Sequence, residues 1–167
     1  MKSVDDHAPV PRTGFGYDVH RLVPGRRLVL GGVAIEFEKG LEGHSDADVI
    51  VHAICDALLG AAALGDIGKH FPNTDQRYRG ISSLVLLAEV GRLVEAAGYA
   101  LVNIDATLVL ERPKILPYAA AMCDALAGAL KVPPGLISLK ATTGEGMGFA
   151  GRGEGAAAYA VATIVHQ

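Results

Sequence analysis

The sequence has no excess of basic residues. Its 167 residues include 15 lysines and arginines against 18 aspartates and glutamates, which gives a net charge of -3. A protein that holds a nucleic-acid duplex through its phosphates needs a basic surface, so we do not expect nucleic acid as a partner. The sequence also lacks any run of about 18 apolar residues, which excludes an ordinary membrane-spanning helix.

Cysteine and several common motifs are scarce or missing as well. Cys55 and Cys123 lie in apolar helical patterns without a Cys-x-x-Cys spacing, so we expect buried reduced thiols and no thiolate metal site or redox pair. No Gly-x-Gly-x-x-Gly motif opens a helix after the first strand, and neither a P-loop nor His-Glu-x-x-His occurs. These absences argue against dinucleotide-binding dehydrogenases, P-loop kinases and the common zinc peptidases.

Length and composition fit a single domain. Half of the residues are hydrophobic, which is enough for one core in a chain of this size. The opening residues, MKSVDDHAPVPR, contain acids and prolines but no long apolar run, so neither a signal peptide nor a transit peptide is predicted. We expect residues 1–12 to form a flexible tail on a cytoplasmic protein whose one domain spans residues 13–167.

Hydrophobic periodicity and turn residues predict alternating strands and helices. A loop over residues 65–80 is longer than most connections in compact domains, and such loops tend to be functional. The alanine-rich closing segment, 151–166, is compatible with a helix, but its Val, Thr and Ile residues favour a strand. The other predicted elements are a hairpin-like pair of strands at 14–22 and 28–37, a helix at 46–64 capped by Ser45 or Asp46, a helix from Ser82 or Ser83 to before Gly98, a helix at 117–131, and strands at 99–111 and 136–143.

Two groups of polar residues predict a metal site. Asp18 and His20 are one residue apart in a predicted strand, so their side chains leave the same face. Asp48, His52 and Asp56 recur at intervals of four and share one face of a helix that is otherwise mostly apolar, although a solvated face is the alternative. Two imidazoles and one carboxylate leave a fourth position open, as in catalytic zinc sites. We therefore predict that Asp18, His20 and His52 bind zinc or another divalent transition metal.

Two further segments suit phosphate binding. His44 and Ser45 lie in a turn before the 46–64 helix, where side chains and helix-terminal N–H groups would hold a phosphate, although capping explains Ser45 equally well. The glycine-rich sequence TTGEGMG, at the end of the strand at 136–143, offers threonine hydroxyls and closely approaching backbone amides. Glu145 in that sequence would hold a hard cation such as magnesium between phosphates.

Four segments taken together resemble one enzyme family. They are GFGYDVHRL, GHSDADVIVHAICDALLGAAALGDIGKHFP, ERPKILP and KATTGEGMGFAGRGEG. Their order and spacing are those of the 2-C-methyl-D-erythritol 2,4-cyclodiphosphate synthases of the non-mevalonate isoprenoid pathway, and the resemblance covers residues 14–166. It implies a lyase that cyclises 4-diphosphocytidyl-2-C-methyl-D-erythritol 2-phosphate and releases CMP, without consuming water.

The resemblance also assigns roles to individual residues. It implies zinc at the three ligands already predicted, and magnesium or manganese at Glu145. The implied catalytic residues are Thr143, Asp48 and His44. The implied substrate contacts are Asp18, His20, His44 and Ser45 near the 2-phosphate, Asp66, Ile67, Gly68, Phe71, Pro72, Asn73 and Asp75 on the erythritol side, Lys114, Ala141, Thr142 and Thr143 at the cytidine diphosphate, and Phe149 and Arg152.

The family's architecture is implied in the same way. Its members are α+β homotrimers in which mixed sheets pack around a threefold axis, helices lie on the outer face, and each active site lies between neighbouring subunits. Arg152 and Glu154 resemble residues of the central cavity, where an isoprenoid diphosphate can bind, although a ring of salt bridges is the alternative. Asn73 and Gly144 depart from the pattern, because many relatives have Asp and Thr there, so a carboxylate or hydroxyl role is not expected.

Two other functions stay open at this stage. A zinc phosphohydrolase would use the same three ligands and the open position to activate water. A non-catalytic trimeric protein that binds isoprenoid diphosphates would need the metal only for its fold. The non-catalytic alternative is disfavoured by the presence of Asp48, Lys114, Thr143 and Glu145.

Overall fold

A mixed five-stranded sheet forms the centre of the fold, in a computed structural model that describes residues 10–72 and 74–167. Its strand order is β4-β1-β7-β5-β6, with β5 and β6 parallel and the other pairs antiparallel. The predicted α+β class is confirmed. The elements are β1 (Arg12–Pro24), β2 (Leu28–Leu30), β3 (Val33–Ile35), β4 (Lys39–Leu41), α1 (Val49–Ala61), α2 (Ile67–His70), α3 (Ser83–Ala96), β5 (Tyr99–Val109), α4 (Ala119–Leu130), β6 (Ile137–Thr142), α5 (Gly148–Gly151) and β7 (Gly155–His166).

Helices cover one face of this sheet. Helix α1 packs on β1 and β7, α3 packs on α1, and α4 packs on α3 and β6. Alternate residues of β7 point at α1, while Tyr159 and Val161 point the other way. The residues that point at α1 are the buried Ala156, Ala158, Ala160 and Ala162. This alternation explains why the closing segment is a strand, as predicted.

Two glycines of β1 let α1 lie unusually close to the sheet. A Cβ atom added to Gly14 would lie 2.0 Å from the Ala57 carbonyl oxygen, and one added to Gly16 would lie 1.9 Å from the Ala53 carbonyl oxygen. Because real Cβ contacts are essentially never shorter than 3.0 Å, only glycine fits at these two positions while the helix stays in place. The backbone of α1 therefore rests directly on β1.

The opposite face of the sheet carries exposed apolar side chains. Tyr17 and Tyr159 pair across β1 and β7 with their ring centroids 5.1 Å apart, and Phe15 lies 6.3 Å from the same Tyr159 ring. Phe15 is 63% exposed. Val19 and Val161 extend this patch, and no helix in the described part of the chain covers it. We call the five residues the open-face patch.

Three sequence predictions need correction. Strand β2 pairs with β3 rather than with β1, because Gly31 and Gly32 both have positive φ and turn the 28–37 segment back on itself. Helix α1 begins at Val49, three residues later than predicted, because Ala47 has a φ of 56°, which no α-helix continues through. The long loop is not wholly irregular, since it contains α2 and a single turn of 3-10 helix.

The prediction misses two short elements, β4 and α5, and the remaining predicted elements agree with the structure to within a few residues. Cys55 and Cys123 are free thiols, the first fully buried and the second half-buried. No helix among the described residues has both the length and the apolar character needed to cross a membrane. The predicted tail at 1–12 falls mostly outside the described residues, as does the predicted contact at Asn73.

Candidate metal centre and active site

Strand β1 and helix α1 bring the three predicted metal ligands together. Asp18 and His20 lie on the face of β1 that also carries Gly14 and Gly16, and this is the face on which α1 rests. His52 lies in the first turn of α1, just before Ala53, whose carbonyl oxygen would meet a Cβ at Gly16. The close approach of helix and strand therefore places His52 over Asp18 and His20.

The facing atoms of these side chains have metal-ligand spacing. Asp18 Oδ2 lies 2.9 Å from His20 Nε2 and 3.0 Å from His52 Nδ1, and the two ring nitrogens are 3.3 Å apart. Two ligands of a tetrahedral zinc ion, each about 2.0 Å from it, lie roughly 3.3 Å from each other. All three residues are half-buried, and together they form a cluster capable of holding a metal ion.

A hydrogen bond at the ring nitrogen of His20 that faces away from the cluster determines which nitrogen carries the hydrogen. His20 Nδ1 lies 2.8 Å from the Glu42 carbonyl oxygen. A carbonyl oxygen only accepts hydrogen bonds, so Nδ1 carries the hydrogen and neutral His20 presents a lone pair on Nε2 to the cluster. Such a hydrogen bond to the far ring nitrogen is the usual support of a metal-binding histidine. The donor set of two imidazoles and one carboxylate thus fits zinc with one position open.

The charges within the cluster stabilise each other. Burial alone raises the pKa of Asp18, but the hydrogen-bonding and charge interactions with the adjacent His20 and His52 rings outweigh this effect and lower the pKa of Asp18 to about 2. Burial lowers the pKa of His20, but the hydrogen bond and charge of Asp18 outweigh it and raise that pKa. An anionic carboxylate is therefore present at neutral pH to attract a cation.

The turn before α1 adjoins the cluster and contains His44 and Ser45. Ser45 is 9% exposed, and its hydroxyl lies 3.3 Å from His52 Nε2 while accepting a hydrogen bond from the Ala47 amide at 3.2 Å. Arg26, which the sequence analysis did not single out, donates to the Ser45 carbonyl oxygen at 3.2 Å. The turn therefore carries an imidazole, a hydroxyl and a nearby positive charge beside the cluster of Asp18, His20 and His52.

Asp56 supports the predicted erythritol-side loop rather than the cluster. Its carboxylate accepts the Ile67 amide at 2.7 Å, one turn of α1 beyond His52. Asp66 caps α2 by accepting the Lys69 amide at 2.9 Å. The third polar residue of the helical stripe thus attaches this loop to the helix that carries His52. Of the other predicted contacts, Ile67 and Gly68 lie in α2, and Phe71, Pro72 and Asp75 follow it.

Asp48, predicted as a catalytic residue, lies away from the cluster. It is fully buried and accepts hydrogen bonds from the amides of Gly31, Gly32 and Val51 at 2.9, 2.6 and 3.2 Å. It is the N-cap of α1, and burial raises its pKa to about 6 against the opposing effect of these amides. The structure thus assigns Asp48 a role in holding the β2–β3 turn against α1, and its catalytic role stays a prediction.

The predicted cytidine diphosphate contacts form a second group. The Leu110 amide donates to the Thr142 carbonyl oxygen at 3.0 Å, and Glu111 accepts the Gly144 amide at 3.0 Å, so the segment that leads to Lys114 adjoins the threonines. Ala141 and Thr142 end β6, and Lys114 is exposed.

Thr143 and Glu145 complete the second group. The Thr143 hydroxyl donates to Glu145 at 2.7 Å. A Cβ at Gly144 would lie 2.5 Å from the Gly151 amide nitrogen, so a threonine there would require this turn to shift.

The second group lies far from the metal cluster within one chain. Val19 of β1 pairs with Ala157 of β7, Ala157 pairs with Val109 of β5, and Val109 pairs with Thr142 of β6. Neighbouring strands are about 4.8 Å apart, so three steps separate the two groups by roughly 14 Å. No hydrogen bond or ion pair joins them in the part of the chain that the structure describes.

A separate cavity of about 640 Å³ borders the same end of the sheet. Phe149, Arg152 and Glu154 line it together with His20 and Lys39. The Arg152 guanidinium donates to Glu154 at 2.8 Å, and both side chains are exposed. Within one chain the two residues therefore pair with each other, and the ring of salt bridges between subunits stays a prediction.

Comparisons with known proteins place this chain among related sequences. The YgbB family model matches residues 11–165. The 2-C-methyl-D-erythritol 2,4-cyclodiphosphate synthase of Pelotomaculum thermopropionicum is 62% identical over 156 residues, which are 93% of this chain and 96% of that protein.

Solved structures of related synthases share the fold of this chain. A CDP-bound 2C-methyl-D-erythritol-2,4-cyclodiphosphate synthase, 43% identical, matches with a TM-score of 0.84 over 92% of this chain and 99% of that chain. The bifunctional IspDF of Campylobacter jejuni, 39% identical, matches with a TM-score of 0.92 over 96% of this chain. The present chain spans 43% of that bifunctional protein.

Proposed function

The chain belongs to the YgbB family, and from this we infer that it is a lyase of the non-mevalonate isoprenoid pathway. In the reaction, an oxygen of the 2-phosphate of 4-diphosphocytidyl-2-C-methyl-D-erythritol 2-phosphate bonds to the β-phosphorus. The bond between that phosphorus and the bridging oxygen breaks, and CMP leaves. The observation that carries the inference is the Asp18, His20 and His52 cluster in a chain 62% identical to a synthase of this activity.

We propose zinc as the ion held by this cluster, with cobalt or manganese as substitutes that the same ligands accept. Bound there, such an ion supplies Lewis-acid stabilisation of phosphate charge. His44 and Ser45, in the adjoining turn, would orient the attacking 2-phosphate. A phosphate monoester is already anionic at neutral pH, so alignment rather than a separate general base is needed.

The second group is proposed to hold the cytidine diphosphate. Glu145 has an exposed carboxylate, and magnesium or manganese is commonly held by one carboxylate together with substrate phosphates. The Thr143 hydroxyl would donate to the diphosphate where charge develops as CMP leaves. Lys114, Ala141 and Thr142 would fix the remainder of the nucleotide, with Phe149 and Arg152 at the margin of the site.

We propose that the active site is completed between subunits of a homotrimer. One substrate joins the 2-phosphate to the diphosphate, yet the residues assigned to them lie roughly 14 Å apart across three strand spacings. A neighbouring copy that brings its own second group to the cluster removes this separation. The open-face patch supports the assembly, because sheets packed around a threefold axis would bury it.

The cavity at Arg152 and Glu154 is proposed to adjoin the threefold axis. An isoprenoid diphosphate there would place its phosphates near Arg152 and its chain along Phe149. We also propose that the one synthase domain spans residues 13–167 and that the protein acts in the cytoplasm.

The trimer is tested by sedimentation velocity of Tyr17→Glu, which we expect to convert trimers into monomers. An unchanged trimer would contradict the assigned interface.

Turnover is best followed by phosphorus NMR with the diphosphocytidyl substrate. Wild-type protein with zinc and magnesium should yield CMP and the cyclic diphosphate, and a chelator should stop both. His52→Ala should abolish turnover, whereas His166→Ala, at the exposed end of β7, should leave it unchanged. An uncyclised product would indicate a phosphohydrolase, and no turnover by metal-loaded protein would indicate a non-catalytic binding protein. The comparisons favour neither alternative.

A further inference from the structure

A hydrogen-bonded relay reaches the metal cluster from helix α3. His52 turns Nδ1 toward Asp18 and His20, and its opposite nitrogen, Nε2, lies 3.0 Å from the hydroxyl of Ser83. Ser83 is fully buried at the start of α3 and in turn donates to Asp46, whose other carboxylate oxygen accepts the Ser83 amide at 2.9 Å. From this geometry we propose that Asp46 and Ser83 are positioning residues that fix the proton of His52 on Nε2.

The direction of the relay follows from the number of hydrogens available. The Asp46 carboxylate only accepts, and a serine hydroxyl has one hydrogen, which Ser83 gives to Asp46. The Ser83 oxygen is left with lone pairs and can only accept from His52 Nε2. Neutral imidazole carries one N–H, so Nδ1 keeps its lone pair. That lone pair points at the cluster, where a metal ion would take it.

The relay matters because a competing proton position is close by. Asp18 Oδ2 lies 3.0 Å from His52 Nδ1, and a carboxylate is a stronger acceptor than a hydroxyl. Without the relay, His52 would place its hydrogen on Nδ1 and donate it to Asp18. That hydrogen would occupy the space a metal ion needs. Ser45, the other hydroxyl near Nε2, is farther away at 3.3 Å and has no carboxylate that takes its hydrogen in the described part of the chain.

Sequence alone gave no signal for this relay. Asp46 and Ser83 are 37 residues apart, and each has an ordinary capping interpretation beside its helix. Asp46 does cap α3, since it accepts the first amide of that helix, while Ser82, the N-cap by position, makes no side-chain capping bond. Ser82 therefore provides a matched control one residue from Ser83.

The experiment uses full-length protein in metal-free form and compares Ser83→Ala with Ser82→Ala. Competition with a chromogenic chelator gives the Kd for zinc, and nitrogen-15 NMR of the histidine rings gives the tautomer of His52. We expect Ser83→Ala to weaken zinc binding by about 10–100-fold, the usual effect of losing such a support. The His52 hydrogen should move to Nδ1. Ser82→Ala and the conservative Ser83→Thr should retain Nε2–H and near wild-type affinity.

Asp46→Asn separates the relay from a merely structural role. Its amide can donate to the Ser83 oxygen, which frees the serine hydrogen to donate to His52 Nε2 and drives the ring hydrogen to Nδ1 with every side chain still in place. If Ser83→Ala fails to fold, Asp46→Asn still distinguishes the relay from a merely structural role. Unchanged tautomer and affinity in the folded variants would overturn the proposal. The inference rests on the proposed metal site, and wild-type protein that binds no zinc would refute that site and this relay together.

Discussion

Replacing Gly16 by alanine tests how the fold builds the metal cluster. The added Cβ would lie 1.9 Å from the Ala53 carbonyl oxygen and 2.8 Å from the Ala57 amide nitrogen. Ordinary contacts begin near 3.4 Å, so α1 has to retreat by about 1.5 Å, the difference between 3.4 and 1.9 Å. Both opposing atoms belong to the helix backbone, and no flexible side chain can move aside instead.

We expect Gly16→Ala to lower both the free energy of unfolding and the affinity for zinc. Overpacking a core typically costs 1–3 kcal/mol, and a clash with backbone belongs at the upper end, so we expect the free energy of unfolding to fall by about 3 kcal/mol. His52 is the residue before Ala53 and retreats with the helix. Its 3.0 Å separation from Asp18 would grow to roughly 4.5 Å, well outside the tolerance of about 0.5 Å for a preorganised site. We therefore expect zinc affinity to fall at least about 100-fold.

Urea denaturation in chelator and zinc competition measure the two effects separately. Gly60→Ala is the matched control, because Gly60 lies in α1, is exposed, and has nothing within 4 Å of its added Cβ. It should raise the free energy of unfolding by up to about 1 kcal/mol, the difference between glycine and alanine inside a helix. Gly16→Ala protein with wild-type stability and zinc affinity would refute the close contact as the origin of the cluster.

Three other predictions follow from single contacts. Asp48→Ala leaves three buried amides without their acceptor and should lower the free energy of unfolding by about 3 kcal/mol in urea denaturation; a loss below about 1 kcal/mol would contradict this. Asp56→Ala releases the Ile67 amide, so hydrogen exchange should speed up in the 65–75 loop but not in β5. Acid should weaken zinc binding once the pH falls below the raised pKa of His20. In metal-free protein, protonated His20 should stabilise the fold fully at a pH below 6.5, the ordinary pKa of histidine, and this stabilisation should be lost as the pH rises through the raised pKa. Flat pH profiles in both forms would be inconsistent with that shift.

Local patterns in the sequence predicted most of the fold. Helix α3 and strands β5 and β7 agree with the predicted elements to within a few residues, because capping residues, alternation and the Val, Thr and Ile residues of the closing segment each indicated the right element. The errors occurred where backbone conformation overrode the hydrophobic pattern. Ala47, at positive φ, delays the start of α1, and the pair Gly31 and Gly32 folds a predicted long strand into a separate hairpin.

The cluster of Asp18, His20 and His52 was predictable because spacing within one strand and within one helix placed each residue on a known face. Their supports were not, since Glu42, Ser83 and Arg26 reach the site only through tertiary contacts. The polar stripe of α1 did not predict the roles of its first and last residues. Asp48 and Asp56 share the periodicity of His52, yet one holds a buried turn and the other a loop. Periodicity indicates a face, but the partner across that face determines the role.

Because the cluster lies between a strand and a helix, the proposed metal ion would link metal supply to the lifetime of the protein. An ion that binds only the folded chain shifts the folding equilibrium by mass action, by about 2.7 kcal/mol when the free ion is at 100 times its Kd. Such a shift is a large part of the stability of an ordinary domain. The melting temperature would then vary with residual chelator in a preparation. In the cell, the labile zinc pool would determine how often the chain opens to proteases.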